Sequence, residues 1–254
     1  SVMNGFGVVI EQMFSNFAPQ IRITATDGKF FACDTEPFNR IREMSEVSIF
    51  SETIEETALV EFSDKQIPAR IKGVDSLYQQ LTAIDQILVD GYFCVYDGAF
   101  ERAVLGQGLA AQLGIGAHFV HGLHLYAPKR NHKVNLLRPD ESFNQASCFI
   151  AGTFAVNQVK YDDQLMLVSL NMAQRLFNYD SHQVTAVELR LQDNVDIKNV
   201  KRQIRQTLGD GFYVLDRYEQ QQDFFRILGV EKLLTGILLA FINCWSIHHA
   251  DSGL

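Results

Sequence analysis

The 254-residue sequence predicts an α+β fold built on one split sheet. Three observations carry the expectation. Residues 20–73 read as strand, helix and paired strands, and residues 183–216 read as strand, helix and strand. The stretch between them, 74–182, has a less regular texture and reads as an insertion. Each end of the chain adds an apolar helical pattern, over 1–19 and 217–245.

In chain order, Phe6, Val9, Ile10, Met13 and Phe17 form one apolar stripe of a helix that Pro19 stops. Residues 20–26 alternate apolar and polar side chains as a half-buried strand does, and Asp27-Gly28 supplies a turn. Asp34-Thr35-Glu36-Pro37 reads as a helix start, with Phe38, Ile41 and Met44 on its apolar face. Two strands are expected over 56–62 and 67–71, joined by the polar turn 63–66, with Ala58, Val60 and Phe62 facing Ile67, Ala69 and Ile71.

In the middle section, 77–87 is expected as a helix and 91–93 as a loop or short strand. Residues 101–106 lead into a helix over 107–113, and 119–126 is a strand. The polar stretch 127–148 holds Pro128 and Pro139 and reads as a long loop or extended hairpin, the most exposed part of the chain. Strands follow at 149–156 and 164–168, then a helix over 170–177 capped by Ser169 or Asn171. The last third alternates at Val187, Leu189 and Leu191. It then stripes a helix with Ile197, Val200, Ile204 and Leu208, which Gly209-Asp210-Gly211 ends before a closing strand at 212–215.

The C-terminal pattern is distinct. A glutamine-rich helix start at 219–223 passes into 233–242, where Thr235 is the single polar residue. That length is about half of the roughly 20 residues a bilayer crossing needs, so the run reads as the start of a membrane span. Residues 246–254 break the pattern and are expected to be a non-native tail, which sets His248 and His249 aside.

Composition narrows the function classes. A hydrophobic content of 47% with 19 phenylalanines fits a folded chain, and a formal charge of −8 provides no clustered positive field for nucleic acid. Residues 1–18 lack the basic region and cleavage site of a signal peptide, so an extracytoplasmic placement would depend on a membrane segment. Cys33, Cys94, Cys148 and Cys244 are scattered without metal-ligand spacing, and their disulfide state stays open.

No catalytic motif emerges. Gly106-Gln107-Gly108 lacks the third glycine of a dinucleotide site and the Lys-Ser/Thr of a phosphate loop, so packing is the better account. On a strand the spacing of His118, His121 and His124 throws His121 to the opposite face, away from a shared metal. The neighbouring acids Glu55-Glu56 and Asp162-Asp163 also face opposite ways and read as solvated charge. No cofactor and no metal are expected.

Several segments together resemble the extracytoplasmic domain of FtsX-like ABC-transporter permeases, the group that includes lipoprotein-releasing permeases and macrolide exporters. They are residues 1–6, Ile71-Lys72-Gly73-Val74-Asp75, 103–114, Ala151-Gly152-Thr153-Phe154 with Met166-Leu167-Val168, and Glu231-Lys232. At Gly116-Ala117-His118 the chain departs from the Gly-Asp turn common in relatives.

The resemblance implies a split ferredoxin-like porter subdomain over 20–73 and 183–216, an inserted lobe over 74–182, and stalk helices over 1–19 and 217–245 that join membrane spans. It implies a non-catalytic domain on the periplasmic side of the inner membrane. Its partners would be a cytoplasmic ABC ATPase, a second permease copy or paralogue, and a periplasmic carrier or lipoprotein cargo. The expected work is mechanical coupling of ATP hydrolysis to lipoprotein release. A macrolide or peptide exporter and a regulator of cell-wall hydrolases are the alternatives. By position, 128–148 matches the loop such permeases present to a carrier, with Lys129, Arg130, Lys133 and Arg138 as charges and Leu136, Leu137 and Phe143 as anchors.

Overall fold

A computed structural model of the chain describes residues 17–115, 122–130 and 142–221. Residues 1–16 of the helix expected over 1–19, the histidines 118 and 121, and the apolar run 233–242 lie outside the described residues. Among the described residues, no helix is long and apolar enough to cross a membrane.

The fold is α+β and is organised by one long strand, β3 (Val47–Phe62), which belongs to two halves at once. Its first part pairs antiparallel with β11 (Ala186–Leu191). That strand is followed across the sheet by β1 (Ile21–Ala25) and β12 (Phe212–Asp216), in the order β12-β1-β11-β3 with every pair antiparallel. Helices α1 (Glu36–Arg42) and α6 (Ile197–Leu208) back this half. Ile21, Ile23, Phe50, Val187, Leu189 and Val214 meet Phe38, Ile41, Val200 and Ile204 in one core. Helix α1 starts where expected: Thr35 is its extended N-cap residue and Pro37 stands in the first turn, where a missing amide costs nothing.

From Thr53 onward β3 enters a second half. It pairs with β4 (Lys65–Val74), and the pairing continues through β9 (Leu165–Ser169), β6 (Arg102–Gly106), β8 (Phe143–Phe154) and β7 (Gly122–Pro128). Strand β7 then pairs back with β3 at Leu59–Glu61, closing a six-stranded ring. Closure leaves these strands no free edge between them. Alternate residues point inward: Ala58 and Val60, Ala69 and Ile71, Ala103 and Leu105, Leu123 and Leu125, Met166 and Val168. Helix α5 (Leu170–Phe177) fills the ring with Met172, Ala173, Leu176 and Phe177, and Ser169 caps it by accepting from the Met172 amide. The edge strand β5 (Leu88–Gly91) adds to β8 outside the ring.

Two expectations change. The helix expected over 77–87 is a short helix α2 (Tyr78–Leu81) followed by a 3₁₀ turn, Ile84–Gln86. The buried residues Tyr78, Leu81, Ile84 and Ile87 recur every three positions, the period of a 3₁₀ path, and Thr82 between the two pieces is extended. The stretch 127–148 is not uniformly exposed loop. Its described ends form a hairpin, with Asn144 paired to Ala127 and Ala146 to Leu125, so 143–148 is the start of β8.

Candidate functional site

Because side chains alternate along strands, the sheet face opposite the core is also shared by both halves. On that face lie Arg22 of β1, Glu188 of β11, Glu55 of β3, and Arg70 and Lys72 of β4. They form one chain of alternating charge. Lys72 Nζ donates to both oxygens of Glu188 at 2.8 and 2.9 Å. Glu188 lies 3.7 Å from Arg22, Arg22 reaches Glu55 at 3.2 Å, and Glu55 accepts from Arg70 at 2.9 Å.

These charges floor a cleft of about 890 Å³. Phe17, Pro19 and Gln220 line one part of it, and Lys129 and Arg130 at the base of the β7–β8 hairpin line another. The short helix α4 (Val159–Asp162) lends Lys160 and Tyr161. Its partner across the seam is the junction Gly106-Gln107-Gly108. A Cβ at Gly106 would run into the carbonyls of Tyr161 and Asp162, and one at Gly108 into the Asp163 carboxylate. These glycines therefore serve close packing against helix α4 and the turn after it, and a carboxylate occupies the space a phosphate would need.

The field in the cleft shifts the ionisation of the groups that line it. Burial opposes charge on Glu55, yet Arg22, Arg70 and Lys72 outweigh it and pull its carboxyl down to about 2. Burial likewise works against the Arg22 guanidinium, but Glu55 and Glu188 raise its pKa above the ordinary value. Lys160 is pulled the other way: burial, with Arg70 beside it, lowers its ammonium to about 8. Burial raises the Tyr161 phenol to about 12.

Both ends of the described chain meet at one edge of this cleft. Arg217 Nε donates to the Ala18 carbonyl at 3.0 Å, and Gln220 Nε2 donates to the Pro19 carbonyl at 3.1 Å. Residues 217–221 are helical and start on a reciprocal cap. Asp216 accepts from the amides of Tyr218 and Glu219, and Glu219 accepts from the amide of Asp216.

Of the contact residues read from sequence, Lys133, Leu136, Leu137 and Arg138 lie outside the described residues. Lys129 lines the cleft, its amide donating to Ser142 at 2.9 Å. Arg130 folds back against Glu56 and stacks its guanidinium over Tyr179 at 3.6 Å and Phe30 at 4.9 Å. Phe143 is 5% exposed, packed at the start of β8. His124 is exposed and shares a hydrogen bond with Ser147 at 2.9 Å. Cys33, Cys94 and Cys148 are free thiols. Among the described residues no group of three His, Cys, Asp or Glu side chains is placed to hold a metal.

The reading of Glu55 as solvated charge is corrected: it is held between two guanidiniums at 14% exposure. Arg22, Arg70, Lys72 and Glu188 were not read from sequence as site residues, although Lys72 falls in the segment 71–75 that carries the resemblance. The signal that existed was a charge between apolar neighbours, as in Ile21-Arg22-Ile23 and Val187-Glu188-Leu189. Alternation alone assigns such residues to solvent, and the pairing of strands is needed to see them face one another.

A helix-backed antiparallel sheet joined through one strand to a closed six-stranded ring is a fold with solved counterparts among extracytoplasmic domains. The fold is similar to that of the extracellular domain of the noncanonic ABC-type transporter YknZ from Gram-positive bacteria, at 12% identity and a TM-score of 0.52. That match covers 77% of this chain and 99% of the other. It is also similar to the periplasmic region of MacB from Actinobacillus actinomycetemcomitans, at 9% identity and a TM-score of 0.53, covering 80% of this chain and 91% of the other. No family model and no curated protein sequence matches the chain.

Proposed function

We propose that the chain is the periplasmic domain of an ABC-transporter permease subunit in the inner membrane. It couples ATP hydrolysis by a cytoplasmic ATPase to extraction or release of a lipoprotein or similar substrate. The observation that carries this reading is the junction of the two ends of the described chain, where Arg217 and Gln220 bond to Ala18 and Pro19; in the sequence, the apolar patterns of 1–17 and 233–242 lie outward of it. On this reading, a domain whose two flanking segments meet at one edge receives their relative motion as a force across its sheet. The order β12-β1-β11-β3, with helices after β1 and β11, supports reading residues 20–73 and 183–216 as a split ferredoxin-like porter subdomain and 74–182 as its inserted lobe. The domain itself is non-catalytic on this reading, and it works beside a second permease copy or paralogue.

Stiffness at the junction is the property the coupling needs. A flexible Gly-Ser insert at Gln220 of the full-length permease is expected to abolish transport while ATP binding persists; unchanged transport overturns the coupling. The polar stretch 128–148 is read as the contact for a periplasmic carrier, through Lys129, Lys133, Leu136, Leu137 and Arg138. Charge reversal at Arg138 followed by a carrier pull-down tests it, and undiminished capture removes it.

A further inference from the structure

We propose that the cleft on the shared sheet face is a binding site for a phosphate-bearing ligand, its anionic group beside Arg22, Arg70 and Lys160 and any apolar portion over Tyr161 and Tyr213. Among the described residues, seven Lys or Arg side chains line the cleft against three Glu, in a chain whose formal net charge is −8. Positive charge is thus gathered into one concavity of an acidic molecule, the distribution that focuses an attractive field on an anion. The volume of about 890 Å³ lies within the range of small-molecule sites.

The donors are also held in place. Glu55 receives Arg22 on one oxygen and Arg70 on the other, so neither planar fork must be ordered when a ligand arrives. The Arg70 guanidinium is fixed further by donating to the Lys160 carbonyl at 2.6 Å. Lys160 Nζ stands 4.7 Å from the Tyr161 ring centre, which places a cation and an aromatic face side by side. Burial is the larger cause of the depressed Lys160 ammonium, but Arg70 and Arg22 beside it add to the shift, and these are the cations an anion would neutralise. The aromatic lining, Tyr161 and the exposed Tyr213, gives an amphiphile a surface beyond the phosphate.

The test is calorimetric titration of the 254-residue chain with inorganic phosphate, with dihexanoyl phosphatidylglycerol and with dihexanoyl phosphatidylcholine, all below micelle-forming concentration. Lys160→Met and Lys129→Met remove cleft charge, and Lys198→Met removes an equal charge from an exposed helical position. The expected result is binding of the anionic lipid or of phosphate that weakens roughly tenfold in the two cleft variants, falls with added salt, and is unchanged in Lys198→Met. Tighter binding of the anionic lipid than of phosphate assigns the site to a phospholipid headgroup; equal binding assigns it to free phosphate. Thermal melts confirm that each variant is folded. No binding of either anion at millimolar concentration, phosphatidylcholine binding as tightly as phosphatidylglycerol, or affinity undiminished in both cleft variants overturns the proposal.

Discussion

Lys72 and Glu188 join two strands that do not touch: each pairs with β3, and the ion pair spans it, at 7% and 0% exposure. One belongs to the ring and the other to the helix-backed sheet, so the pair ties the two halves across their shared strand. Because Glu188 is fully buried, losing its ammonium partner leaves a carboxylate in a poor dielectric with only Arg22, 3.7 Å away, to compensate. Lys72→Met is expected to destabilise the fold by about 3 kcal/mol, while the double variant Lys72→Met with Glu188→Met costs less than the single one. Urea denaturation of the set measures the coupling; additive losses would show that the pair does not act as a unit.

Acid should unfold the chain partly through Glu55. Its folded-state carboxyl, at about 2, lies below the ordinary 4.5, so its stabilisation is fully present above the unfolded value and is lost as pH falls through the folded one. The window is therefore about 4.5 down to about 2, and the contribution is on the order of 3 kcal/mol. Glu55→Gln should flatten the melting temperature in that window and lower it near neutrality. A wild-type profile that is already flat between those values refutes the assignment.

Lys160 acts with the opposite sense. Its folded pKa of about 8 lies below the ordinary 10.5, so the neutral amine is favoured in the folded chain. Over that interval the unfolded chain binds more protons and stability rises with pH; below about 8 the charged ammonium carries the full penalty. Lys160→Met should therefore stabilise the fold at pH 7, on the order of 1 kcal/mol once solvent screening of a half-buried group is allowed for. The gain should shrink toward pH 10. Melting curves at pH 7 and pH 9.5 check both points.

What the sequence revealed and what it hid divide along physical lines. Local signals were enough for α1, where Thr35 and Pro37 set the start, for α5 under its Ser169 cap, and for α6 with its Val200 and Ile204 stripe. Each is written within a few neighbouring residues. The ring was hidden, because its closure depends on Leu59 of β3 meeting Tyr126 of β7, a pairing that no window of sequence contains. The first part of β3 was missed for a related reason. Ser51 and Thr53 are fully buried polar residues, bonded to Asp75 and to the Ala186 carbonyl, and their polarity masks the strand. The charge chain was hidden by the same non-locality: Arg22 meets Glu188 only because β1 and β11 are neighbours.

The start of the C-terminal helix offers the most local of the tests. Asp216 Oδ1 accepts from the amides of Tyr218 at 3.1 Å and Glu219 at 3.0 Å, and Glu219 returns a bond to the Asp216 amide at 3.0 Å. Lys201 of α6 holds both carboxylates, at 2.7 Å for Asp216 and with a further ion pair to Glu219. The cap therefore does two things: it satisfies amides that a helix start leaves orphaned, and it fastens the helix to the body of the sheet. Asp216→Ala removes the Asp216 cap and one of the two Lys201 ion pairs, and should cost about 1 kcal/mol. Hydrogen exchange should then quicken at 217–221, while amides of the ring, such as those of Leu167 and Leu105, keep their protection. Lys201→Met keeps the cap and loses the fastening, so it should leave the helix start protected but loosen its contact with α6. Equal exchange at 217–221 in wild type and Asp216→Ala would mean that the remaining contacts, the bonds of Arg217 and Gln220 to Ala18 and Pro19 and the Lys201–Glu219 pair, suffice to hold the helix, and that the Asp216 cap contributes nothing to the junction.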